Sequence, residues 1–200
     1  MGSYYYLGAQ LPYLVQGQAP PMSSAVFKAL ARRQMSSRDA ALLDYCTLDP
    51  DPAALPVEMA GEISPENPAE VRSEKVANSS AFIKRWREWE RVLRLNLARG
   101  RAAKLKREAV EAPELPSDAV LAAKNALAIE SPLEADLLLE RARWDAIQAF
   151  VGMDTFSETA MYAYLLKLLL MERRALMDTE VGFTEYKALY TAILGSKTHF

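Results

Sequence analysis

Between Pro68 and Pro113 the chain carries no proline and a single glycine, Gly100. A stretch that long without a breaker is free to form one extended helix, and its side chains agree. Phe82, Trp86, Trp89 and Leu93 recur at spacings of four, three and four, the period of one buried helical stripe. Val92, Leu95 and Leu97 widen that stripe. The pattern predicts a long helix over about 69–109, which needs other elements to cover its apolar side. Past Gly100 the apolar signal fades into Arg101, Lys104, Lys106 and Arg107, so this part is free to project from the body.

The rest of the chain reads as further helices with recognisable starts. Ser23 or Ser24 can cap a short helix to about Arg33, and Ser36 or Ser37 a second over Arg38–Cys46, with Ala40, Leu43 and Cys46 on one stripe. Ser117 is read as the cap of a helix to about Leu127. Ser131-Pro132-Leu133-Glu134 combines a serine cap, proline at the first helical position and glutamate at the third, which starts a helix to about Val151 closed by Gly152. Ser157 starts a helix to about Met177 whose Tyr162, Leu165, Leu166, Leu168, Leu169 and Leu170 are apolar nearly all round, as a central helix requires. Gly182 breaks the chain, and Thr184 caps a last helix to Leu194. Strand signals are few, and Tyr4–Leu7 leans to helix. The expectation is an all-α helical bundle with one long basic helix. It forms a single domain over 1–200, with a proline-rich linker at about 49–68, the long helix at about 69–109 and a C-terminal helical body at 117–195.

Charge is unevenly spread. The formal net charge is −2, yet residues 72–107 hold twelve basic and three acidic side chains, while 1–71 hold four and eight and 108–200 hold eight and fifteen. A strongly positive segment in a negative protein either pairs internally or faces an acidic partner. Arg85, Arg91, Arg94, Arg101, Lys104 and Arg107 are therefore candidate partner-binding residues. A solvated face that pairs with the protein's own carboxylates is the plain alternative. On the helix after Ser131, Glu134, Asp136, Glu140 and Asp145 read as a solvated face, with Glu140–Arg143 and Glu134–Arg141 as surface pairs.

The first fourteen residues hold four tyrosines and three leucines and no charged side chain. A terminus this aromatic would expose an adhesive patch if it were loose, so it belongs in the core or against a partner. Tyr4, Tyr5 and Tyr6 are the candidate contacts.

Several chemistries lack their parts. One His (His199) and one Cys (Cys46) cannot make a structural zinc site, which takes about four N or S ligands. A nucleophilic triad would have to use His199 near the chain end, and Cys46 reads as a small core hydrophobe. Neither a Walker loop nor a dinucleotide fingerprint is present. No cofactor, metal, small-molecule substrate or enzymatic activity is expected. A lone cysteine excludes an internal disulfide and points to a reducing compartment. No secretory signal is read, the myristoylation pattern fails at Tyr6, and the longest apolar run, about Ala160–Met171, is interrupted by Lys167 and too short to span a bilayer.

Ser3-Tyr4-Tyr5-Tyr6-Leu7 followed by Leu11-Pro12-Tyr13-Leu14 resembles the start of a small bacterial family of proteins encoded beside V-type ATP synthase subunits. Pro132-Leu133-Glu134 leading to Leu137-Leu138-Leu139 and Trp144-Asp145 is similar to the same family. So are Phe156, Tyr164-Leu165-Leu166-Lys167-Leu168 and Glu172-Arg173-Arg174. The likeness extends distantly to the C (d) subunit of V/A-type ATPases. It covers about the first fifteen residues and Ser131–Leu194, and its motifs are packing motifs. The resemblance implies an all-helical, non-catalytic subunit or assembly factor, cytoplasmic and peripheral to the membrane through its complex. Its partners would be the stalk and rotor-ring subunits of the V-type ATPase. Because the chain is much shorter than the C (d) subunit, the resemblance implies a reduced equivalent or an accessory factor. The rival reading is a helical binder of nucleic acid or anionic lipid through residues 84–107; no recognised nucleic-acid module supports the first of these.

Overall fold

Serine starts most of the helices, because its hydroxyl accepts a hydrogen bond from an amide that the first turn leaves unpaired. The structure, a computed structural model, describes residues 4–48, 80–108, 111–177 and Lys187. Seven α-helices and no strand occur among the described residues: α1 (Tyr5–Gln10), α2 (Ser24–Gln34), α3 (Ser37–Leu42), α4 (Ala81–Lys104), α5 (Ser117–Ala128), α6 (Pro132–Val151) and α7 (Glu158–Ala175). A 3₁₀ turn at Leu43–Tyr45 extends α3. Ser23, Ser36, Ser80, Ser131 and Ser157 each cap the helix that follows. Ser117 does not. Pro116 holds the cap position in extended geometry, and Ser117 is already the first helical residue. The proline-rich 49–68, residues 69–79, the Gly182 break, the Thr184–Leu194 helix apart from Lys187, which is helical, and His199 lie outside the described residues.

Contacts fix the arrangement. α6 runs antiparallel to α4, with Phe82 beside Phe150 and Glu90 bonded to Arg143. α5 runs parallel to α4: Trp89 donates its indole N–H to Asp118, and Gly100 meets Leu127. The return connection lies back along α4, where the Asn96 amide donates to the Pro113 carbonyl at 2.9 Å. α7 is antiparallel to α6, with Arg173 on Asp136 at 3.0 Å and Lys167 over the Trp144 ring. The N-terminal segment then runs along α7. Tyr4 donates its N–H to the Phe156 carbonyl at 2.7 Å, Gly8 packs on Phe156 and Met161, and Tyr164 donates its hydroxyl to the Pro12 carbonyl at 2.9 Å. α2 runs back the other way, from Glu172 at Ser24 to Tyr164 at Phe27. α7 is thus covered on several sides, as its all-round apolar sequence requires. Trp86, Trp89, Tyr162, Phe27, Leu165 and Leu168 are among the largest fully buried side chains.

Two sequence expectations change. The long helix is Ala81–Lys104, and it does not project. At Gly100 a Cβ would lie 2.1 Å from Leu127 Cδ1, so glycine is what lets α5 come this close. Lys104 then ties itself down by donating to the Leu127 carbonyl. The helix stops because the chain takes a left-handed turn at Lys106 (φ 54°). Lys106 N–H bonds to Ala103 O and Arg107 N–H to Ala102 O, the paired bonds of a Schellman end. A lysine in that conformation costs about 1 kcal/mol relative to glycine, and no sequence signal marks it.

The carboxylates of α6 are not simply a solvated face. Glu140 is buried and meets Arg174 across the α6–α7 interface, and Arg143 is buried against Glu90 rather than paired with Glu140. The expected Glu140–Arg143 surface pair is replaced by two interhelical ones.

Candidate interaction surfaces

The charge run of α4 divides by what its carboxylates can reach. Glu90 is 2% exposed. A carboxylate so buried must be compensated. Arg143 meets it with two bonds, Nε to Oε2 at 3.0 Å and Nη2 to Oε1 at 2.8 Å. Arg94, one turn on, adds Nε to Oε1 at 2.7 Å and also donates to the Leu48 carbonyl at 2.6 Å. Arg91 closes a two-bond pair with Glu88 at 2.7 and 3.0 Å. That pair lowers the Glu88 pKa, chiefly through the Arg91 hydrogen bond. Arg85 lays its guanidinium over the Phe150 ring, 4.4 Å from the centroid. It rims a half-open groove of about 440 Å³ with Trp89, Pro116 and Phe150 in its walls. Arg85, Arg91 and Arg94 are thus all engaged within the protein.

The last turns of the helix differ. Arg99, Arg101, Lys106 and Arg107 are exposed and make no ion pair among the described residues. Arg101 and Arg107 are the two sequence-predicted cations left for a partner, while Lys104 is held by Leu127. Arg85 and Arg107 are separated by roughly 30 Å of helix at 1.5 Å per residue. The six predicted cations therefore do not form one patch.

The aromatic terminus also divides. Tyr4 is buried, with its hydroxyl between the Asp39 carboxylate and the Ser36 N–H, so it is a core residue and not a contact. Burial, with the Asp39 hydrogen bond second, raises its pKa. Leu7 and Leu14 are buried with it. Tyr5 stacks on Phe156 at 4.0 Å with its outer face in solvent. Tyr6 is 72% exposed and Tyr13 88%. Sequence reasoning named Tyr6 and missed Tyr13. No sequence mark sets the exposed Tyr13 apart from the buried Tyr4. The fully exposed Met153 lies in the α6–α7 turn that also carries Phe156, Tyr5's stacking partner.

Away from these ion pairs, burial holds one thiol and two phenols neutral. The Cys46 thiol is pushed up to about 12 by burial, as is the Tyr164 hydroxyl, and burial also raises Tyr162. Cys46 donates its S–H to Leu42 O as a packed core residue. No group of three or more His, Cys, Asp or Glu with metal-holding geometry occurs among the described residues. No helix among them is long and apolar enough to cross a membrane.

Compared with protein-family models, characterised proteins and solved structures, the chain finds no match in any of the three.

Proposed function

We propose that this protein is a non-catalytic helical adaptor that binds protein partners through its outward tyrosines. One observation carries the reading. Tyr5, Tyr6 and Tyr13 stand in solvent on a segment that Tyr4, Leu7 and Leu14 lock into the core. Exposed tyrosines on a backbone already fixed lose little entropy on binding, and tyrosine is enriched where interfaces concentrate their energy. The resemblance of this same segment to a family encoded beside V-type ATP synthase genes supplies the partners: the stalk and rotor-ring subunits, with the protein cytoplasmic and peripheral to the membrane through that complex. The role is a reduced equivalent of the C (d) subunit or an assembly factor.

The test is affinity capture of the protein at native level from detergent-solubilised membranes, with mass spectrometry of the co-purifying chains. The expected result is stoichiometric stalk and ring subunits, lost when Tyr6 and Tyr13 are both replaced by serine. Capture of those subunits that is unchanged by the double replacement would reject the tyrosines as the contact. Their absence would reject the ATPase.

A further inference from the structure

The end of α4 opposite the tyrosine stack has its own chemistry. From it we infer a second docking surface: Arg101, Lys106 and Arg107 bind an anionic bilayer, with Leu105 entering the interface between them.

Three observations converge. The first is uncompensated charge. Arg99, Arg101, Lys106 and Arg107 are exposed, and neither Glu108, next in the chain, nor Glu130, at the α5–α6 turn, is bonded to any of them among the described residues. Earlier on the same helix every available carboxylate holds an arginine. The second is Lys106. It occupies the left-handed position of a helix end where glycine is the unstrained choice, and its φ is 54°. Turn geometry does not account for a lysine there, whereas a cation projecting from the tip of the helix does. The third is Leu105. It is 62% exposed between Lys104 and Lys106. Leu133, at the first turn of α6, and Leu176, just past the end of α7, are also exposed at this end of the bundle.

Apolar side chains set among cations match the boundary between anionic headgroups and acyl chains. Nucleic-acid phosphates would satisfy the cations and leave Leu105 wet. The remaining charge orients the molecule. The described residues 111–177 hold eleven acidic and six basic side chains, so an anionic surface repels this part of the body and attracts the cationic end of α4. The docked protein then turns its Tyr5–Phe156 stack away from the membrane. The two surfaces share no residue, so either can fail without the other.

The experiment is co-sedimentation of the full chain with phosphatidylglycerol–phosphatidylcholine vesicles and with phosphatidylcholine vesicles, at low and high salt. Binding to the anionic vesicles alone, weakened by salt, is expected. Lys106→Gly keeps the turn and removes the charge. It should lower partitioning about fivefold, as should Arg107→Gln, the factor for one cation near an anionic surface. Neither should lower the thermal midpoint. Leu105→Ser should weaken binding at both salt concentrations, and Arg38→Gln, elsewhere on the surface, should leave it unchanged. Absence of binding to anionic vesicles overturns the inference, as does binding that Lys106→Gly leaves intact. A single-stranded oligonucleotide that binds in a fluorescence anisotropy titration while the vesicles do not would overturn it in favour of nucleic acid.

Discussion

Arg91 and Arg94 belong to the same run of positive charge as Arg101 and Arg107, on the same helix, yet the two halves of α4 use it differently. In the first half Glu88 and Glu90 stand one turn before Arg91 and Arg94, at the spacings where helix side chains meet. Glu90 is also drawn into the core by Arg143 from α6, so its charges hold the bundle together. In the second half no carboxylate follows Glu90 until Glu108. The nearby backbone is occupied by Gly100, Leu127 and the helix end, and the cations face water. A charge run is thus a structural device where a carboxylate shares its turn and a binding feature where none does.

The largest effect should come from breaking the first half. Glu90→Gln leaves Arg143 buried without a counter-charge and should cost about 3–5 kcal/mol, read as a lowered urea midpoint at unchanged slope. A loss under about 1 kcal/mol would mean that water replaces the carboxylate and that the pair is not structural. Next is the clasp at the other end of the core. The Glu172 carboxylate accepts from Ser24 N–H at 2.6 Å and from Ser24 Oγ at 2.7 Å, at the positive N-terminus of α2. Glu172→Ala should cost about 1–3 kcal/mol, with amide exchange in α2 accelerating more than in α5. Uniform acceleration would show that α2 does not open by itself.

A pH effect of similar size should follow from Cys46. Its thiol titrates at about 12 when folded and from 9.0 when exposed. Above pH 9 the unfolded chain has lost a proton that the native one keeps, so stability falls as pH rises through that window, by about 1.4 kcal/mol per unit for this group. Tyr164, also raised to about 12, adds to the loss above pH 10. Chemical denaturation at pH 8 and pH 10 reads the difference, and Cys46→Ala should shrink it. A thiol reagent should label Cys46 only on unfolding, and fast native labelling would contradict its burial. The smallest effect should be in the second half of α4. Arg101→Ala and Arg107→Ala should each change stability by under about 0.5 kcal/mol. A larger loss from either would mean that these cations are structural after all and would erase the contrast within the helix.

Much of the fold was legible from local chemistry. The Ser23, Ser36, Ser131 and Ser157 caps fall where the sequence put them. The Phe82–Trp86–Trp89–Leu93 stripe is buried, and α7 is central. The misses have a common form. Ser117 lost its cap role to the proline before it. Arg143 and Glu140 looked like neighbours on one helix, but their partners come from α4 and α7. Among the candidate contacts, Tyr4 and Tyr6 were indistinguishable in sequence, and only the packing against Asp39 and Ser36 separates them.

By itself the sequence determined where most of the helices start, which stripe of the long helix is apolar, and that the described residues form helices and no strand, since these follow from periodicity and capping within a few residues. The tertiary structure decided which tyrosines face outward and which cations remain available. Those outcomes depend on neighbours far away in the chain: Leu48 for Arg94, Glu90 for Arg143, Leu127 for Lys104 and Phe156 for Tyr5. A buried charge or an exposed ring is a property of what packs against it, and no local pattern encodes that.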